Sequence, residues 1–265
     1  MKIVVIKKKG LLLAVLAVIS MIMLSINYNG GASATVFFGT APRLVPIYSV
    51  ETEEKKVAIS FDTAWGADKT EKIVEILKEY QVGATFFMVG FWVEDYPEMV
   101  KLIDSSGIEI GTHSNTHPDF VNLSAEQMRL ELDTSINSIK KITGKDVKLF
   151  RAPYGSYNNT MLKLTDSMGL KTIQWDVDTL DWKGYSGVDI CERVMSKVKN
   201  GSIILCHNNA DHILEALPLM LERLINAGYE VVSVGNLVIE NDYYIDNLGI
   251  QRKNGNWRRK LWIIV

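Results

Sequence analysis

Three of the four histidines in this chain, His113, His117 and His207, stand at or just beyond the ends of hydrophobic runs, as do Asp62, Arg151 and Asp181. These residue types suffice for a hydrolysis. Two imidazoles can hold a cation, one acid can take a proton from water, and an arginine can keep that acid ionised. An acid–histidine couple can return a proton to a leaving group. His113 and His117 stand four residues apart, a spacing that turns both rings the same way on one helical turn. Singly, each residue has a plainer use. Asp62 could cap the next helix, Arg151 could pair with a surface acid, Asp181 could make a turn, and Trp182 could be core. What favours chemistry is that one rim would have to gather them all.

The hydrophobic pattern supplies such a rim. Strands are expected at 56–60, 84–90, 108–113, 147–153, 170–178, 202–208 and 229–237. Helices are expected at 70–80, 97–107, 123–144, 158–169, 188–201 and 212–228, the third opened by a Ser124–Gln127 capping box. Seven strands alternating with helices are the pattern of parallel βα units, in a barrel or a doubly wound sheet. No glycine-rich phosphate loop follows any strand, which argues against a dinucleotide fold. In parallel α/β folds the chemistry collects at the carboxyl ends of the strands, where these residues fall. Strand alternation would point Ile203, Leu205 and His207 into the barrel and turn Ile204 and Cys206 toward the helices.

Composition and the chain ends bound the rest. The 29 Lys and Arg nearly balance 31 Asp and Glu, so the basic footprint of a nucleic-acid binder is missing. Cys191 and Cys206 are too few for a disulfide scaffold, and whether they pair is left open. Residues 1–34 carry Lys2 and Lys7–Lys9, an uncharged apolar run and the small residues Ala32–Ala34. This is a signal peptide or a membrane anchor, and either implies export. Residues 35–54 read as a linker, 55–238 as one catalytic domain, and 239–265 as a polar, then basic, tail.

In this order, "SFD", "HSNTH", "RAPYG", "DTLDW" and "LCH" resemble the five motifs of the polysaccharide deacetylases, carbohydrate esterase family 4, or NodB homology domain. The resemblance implies a distorted (β/α) barrel of about seven parallel strands. It also implies a divalent metal, usually zinc, and removal of acetyl groups from polysaccharides. Carried over by position, Asp62 is the catalytic base and Arg151 holds it. His113 and His117 are metal ligands, and His207, paired with Asp181, is the catalytic acid. Tyr154 offers its backbone N–H to the oxyanion, and Trp182 and Leu205 wall the acetyl pocket. One position departs: Thr63 stands where the family usually has a second, metal-binding Asp. Asp68 is a further acid that could complete the shell. The stretch "FDTAWG" resembles a sporulation-associated subgroup. With export, the resemblance implies a cell-wall polysaccharide substrate, peptidoglycan amino sugars above all. Chitin-type oligomers or acetylated xylan are alternatives, as is a weakly active or inactive glycan-binding member.

Overall fold

The computed structural model describes residues 15–19 and 43–254. The chain divides into two units after Pro42. Of the first unit, residues 15–19 are helical (α1) and exposed. The rest of the expected leader lies outside the described residues, as do residues 255–265 of the tail. Among the described residues, no helix is long and apolar enough to cross a membrane.

The second unit is a distorted (β/α) barrel. Its central strand, β2 (Lys56–Thr63), is buried at every position after Lys56. A parallel strand covered on both faces reads as a continuous apolar run, as "VAISF" does. On one side lie, in order, β3 (Thr85–Met88), β4 (Glu109–Thr112), β5 (Leu149–Phe150) and β6 (Lys171–Thr172). On the other lie β8 (Ile203–His207) and β7 (Val177–Asp178). Alternation divides the side chains. Val57, Ile59 and Phe61 pack with Ile204 and Cys206 under the helices. Ala58, Phe87 and Ile203 fill the interior with Ile47 and Ile173. Asp62 shares the inward parity of Ala58, and Thr63 the outward parity of Phe61. Both cysteines are free and buried.

The strand expected over 170–178 changes partner midway. Its first part, β6, pairs with β5 at Leu149↔Lys171. Its second part, β7, pairs with β8 at Val177↔Ile204. This one segment thereby closes the ring. Ile47 bridges to Ile173 where the partner changes, and the Gln174 N–H donates to the Ile47 carbonyl at 2.7 Å.

The main helices fall near their expected ranges. Those before the closing segment are α2 (Thr70–Glu79), α4 (Pro97–Ser105), α5 (Ala125–Thr143) and α6 (Asn159–Ser167). Those after it are α7 (Gly187–Met195) and α8 (Ile213–Asn226). The capping box at Ser124 and Gln127 is formed. Two short α-helices among the described residues were not expected. One, α3 (Gly90–Asp95), replaces the end of the strand placed at 84–90. The other, α9 (Val234–Leu237), cuts the strand placed at 229–237 to β9 (Glu230–Val232). Ser233 starts α9 by accepting the Asn236 N–H, and Glu109 accepts the Gly235 N–H at 2.8 Å.

The segments read as linker and tail meet each other. Strand β1 (Ser49–Val50) pairs in parallel with β11 (Ile250–Lys253), which pairs antiparallel with β10 (Tyr243–Ile245). Gly201 joins this small sheet to the barrel. Its N–H donates to the Lys56 carbonyl at 2.7 Å, and its carbonyl accepts the Val50 N–H at 2.9 Å. At φ +77°, a β-carbon there would meet the Val50 oxygen at 1.7 Å. Gly201→Ala is expected to lower stability by about 2–4 kcal/mol, read as a lower denaturant midpoint. Gly144→Ala, at φ +70° with open space around it, should lose only about 1 kcal/mol.

Candidate active site

A cavity of about 610 Å³ opens at the carboxyl ends of the strands. Asp62, His113, His117, Tyr154, Trp182, Leu205 and His207 all line it. Arg151 and Asp181 stand fully buried behind it. Thr63 is fully buried and does not line it.

Asp62 ends β2 on the interior face. Arg151, one residue past β5, donates from Nη1 to Asp62 Oδ1 at 2.8 Å and from Nη2 to the Gln174 carbonyl at 3.1 Å. Its guanidinium lies 4.2 Å from the Phe87 ring centroid. Burial pushes the Asp62 carboxyl up, but Arg151, with His113 and His207, outweighs it and leaves the carboxyl below its ordinary value. Asp62 is therefore ionised at neutral pH.

His113 follows β4. Its Nδ1 lies 2.7 Å from the Arg151 carbonyl, an acceptor, so Nδ1 carries the proton and Nε2 keeps its lone pair. That Nε2 is 3.5 Å from Asp62 Oδ2. Burial lowers the His113 pKa. The two rings do not meet on a helical turn. The chain passes through Ser114 at φ +74° and His117 at φ +60°, a loop rather than a helix. Glu131 on α5 holds this loop, accepting the Asn115 and Thr116 N–H groups at 2.9 and 2.8 Å and the Thr116 hydroxyl at 2.7 Å. The His113 and His117 ring centroids come within 4.9 Å. Edges of Tyr154 and Trp65 close around His117 at 4.7 and 5.0 Å. Burial, then the charge of His113, brings His117 down to about 4.

Two neutral imidazoles suit zinc, but a third donor does not join them. The Thr63 hydroxyl donates to the Phe61 carbonyl of its own strand at 3.4 Å. Asp68 lies against Lys69 at 3.6 Å and is not among the lining residues. Among the described residues, no group of three or more His, Cys, Asp or Glu is placed to hold a metal ion. The donor set does not fit a three-ligand metal site.

Across the cavity, His207 ends β8. Asp181 engages it twice: Oδ1 is 2.7 Å from Nδ1, and Oδ2 accepts the His207 backbone N–H at 2.7 Å. Leu180 at φ +54° makes the turn that aims Asp181, and Asp178 Oδ1 accepts the Leu180 N–H at 2.8 Å. Burial disfavours the imidazolium, yet the hydrogen bond and charge of Asp181, with Asp62 and Asp178, leave the His207 pKa raised.

The sequence reading missed Glu131, Gln174, Asp178 and Trp65. Asp178 and Trp65 lie inside stretches already singled out. Glu131 sits on a helix face far along the chain from the loop it holds, and it carries no local signal.

A raised folded pKa at His207 stabilises the fold fully below about 6.5, the unfolded value, and that contribution fades as pH rises through the folded one. In Asp181→Asn burial is opposed only by the charges of Asp62 and Asp178, so the pKa should fall, as measured by NMR titration of the His207 ring protons. An unchanged titration would mean that Asp181 does not set it.

The profile of the polysaccharide deacetylase family matches residues 49–173. An uncharacterised protein of Bacillus subtilis is 34% identical over 195 residues, which span 74% of this chain and 61% of that relative. Peptidoglycan-N-acetylmuramic acid deacetylase of Bacillus subtilis is 32% identical over 205 residues, covering 76% of this chain and 78% of that enzyme. A carbohydrate esterase family 4 pseudoenzyme from Bacillus anthracis superposes with a TM-score of 0.71 at 36% identity, over 72% of this chain and 68% of that one. With its barrel and its Asp62–Arg151 and His207–Asp181 pairs facing one cavity, this chain belongs to the polysaccharide deacetylases, the carbohydrate esterase family 4 hydrolases that act on amide bonds.

Proposed function

We propose that this protein removes N-acetyl groups from the amino sugars of peptidoglycan outside the cytoplasm. One observation carries the reading. Asp62 is held ionised by Arg151, and His207 is held toward its protonated form by Asp181, on the same cavity. Environments that drive two groups apart in pKa assign a base and an acid.

In this reading Asp62 takes a proton from water as the water attacks the acetamido carbonyl. The Tyr154 N–H, on a residue held at φ +60°, donates to the developing oxyanion. The C–N bond then breaks, and His207 Nε2 delivers a proton to the leaving amine while Asp181 holds Nδ1–H. Leu205 and Trp182 bound the acetyl methyl. A bound divalent metal would polarise the carbonyl, but no step here is routed through one, because the donor set falls a ligand short. The similarity to peptidoglycan deacetylases supports the substrate. The FDTAWG stretch supports a place in spore-wall formation, and the basic, apolar N-terminus supports export.

A second reading follows from the missing donor: a glycan-binding protein with weak or no turnover. Acetate release from peptidoglycan and from acetylated glucosamine oligomers separates the two. Asp62→Asn and His207→Ala are each expected to reduce release by ~10²–10⁴-fold with unchanged circular dichroism. Glycan binding without acetate release from the wild type would favour the second reading. Zinc is expected to fall below one equivalent after gel filtration, as measured by atomic absorption, and His113→Ala should remove the remainder. Retention of a full equivalent would restore the metal to the mechanism.

A further inference from the structure

Trp65 is 55% exposed, although it follows directly on the buried end of β2 and Ala64. A large aromatic left open beside a cavity calls for a ligand more than for packing. Its backbone is tied down. The carbonyl of the next residue, Gly66, accepts the Trp92 indole N–H at 2.7 Å and the Asn208 amide at 2.9 Å. Trp92 is fully buried and Asn208 nearly so. Further along the same loop, Lys69 Nζ donates to the Asn209 carbonyl at 3.1 Å. The loop is thus anchored to α3 and to the end of β8, while the ring stays at the surface. An aromatic held this way binds with little ordering penalty.

Its position says what it would bind. Trp65 lines the cavity that holds Asp62 and His207, and its ring meets His117 edge-on. The cavity, about 610 Å³, is ample for a sugar ring as well as an acetamido group. Trp182, 61% exposed, lines the same cavity. A pyranose has an apolar C–H face of the kind that an indole covers.

We propose that Trp65 is a carbohydrate-binding platform that stacks on the sugar next to the one held between Asp62 and His207, so that the protein selects glycan chains over single sugars. The inference rests on the glycan reading above and adds the residue that measures chain length. Lost stacking should weaken oligosaccharide binding about ten-fold or more.

The test titrates the β-1,4-linked tetramer of N-acetylglucosamine, and the monosaccharide, into the full chain by calorimetry. Wild type, Trp65→Ala and Trp65→Phe are compared, each in an Asp62→Asn background so that turnover does not intrude. The tetramer should bind more tightly than the monomer, Trp65→Ala should narrow that preference about ten-fold or more, and Trp65→Phe should restore most of it. Equal tetramer affinity in Trp65→Ala, an equal loss for monomer and tetramer, or no tetramer binding by the Trp65-intact chain would overturn the proposal. Acetate release is scored separately in the Asp62-intact chain. Tetramer binding through Trp65 without release refutes the deacetylase reading and keeps this one. Release with undiminished affinity in Trp65→Ala does the reverse.

Discussion

The buried ion pair between Arg151 and Asp62 is the constraint on which the rest of the site depends. A guanidinium with no exposure must be matched by acceptors, since an unpaired buried charge costs several kcal/mol. Its two Nη atoms find Asp62 on β2 and the Gln174 carbonyl between β6 and β7, and Phe87 on β3 covers its face. Arg151 follows β5, so one side chain ties together β2, β3, β5 and the segment that closes the barrel. Its own carbonyl fixes the His113 tautomer. Such a pair is a weak source of net stability, because desolvation offsets most of the attraction. What it contributes is position: Asp62 has one place and one protonation state.

The three site histidines then divide by their neighbours. His113 and His117 are kept neutral, first by burial. His207 is also taken partly out of water, but both oxygens of a buried carboxylate face it and the balance reverses. Identical side chains are thereby biased toward the neutral form on one side of the cavity and toward the protonated form on the other.

Strain accompanies this arrangement. Of the six non-glycine residues with positive φ among those described, Ser114, His117, Tyr154 and Leu180 belong to the loops of the site. A left-handed conformation is unfavourable for residues with side chains and persists only when the surroundings enforce it. Here Glu131 holds Asn115 and Thr116, which lie between the first two, and Asp178 supports Leu180. The loops depart from regular structure where a side chain must be aimed at the cavity, which is also why the two histidines are not related by a helical turn.

Periodicity in the chain determined a great deal. Alternating apolar runs determined the βα order, the inward parity of His207 and the outward parity of Cys206, because side-chain direction in a strand is a local geometric property. The acid, the arginine, the histidines and Asp181 could be named as candidates because strand ends are visible as the ends of hydrophobic runs. Only the tertiary structure decided the rest. One run over 170–178 serves two strand partners, residues near 49 and 250 pair across the chain, and Glu131 holds a loop far from it in sequence. It also decided that Trp65 stays open on an anchored loop. Each of these is set by a contact between distant residues, and a local pattern holds no record of the partner.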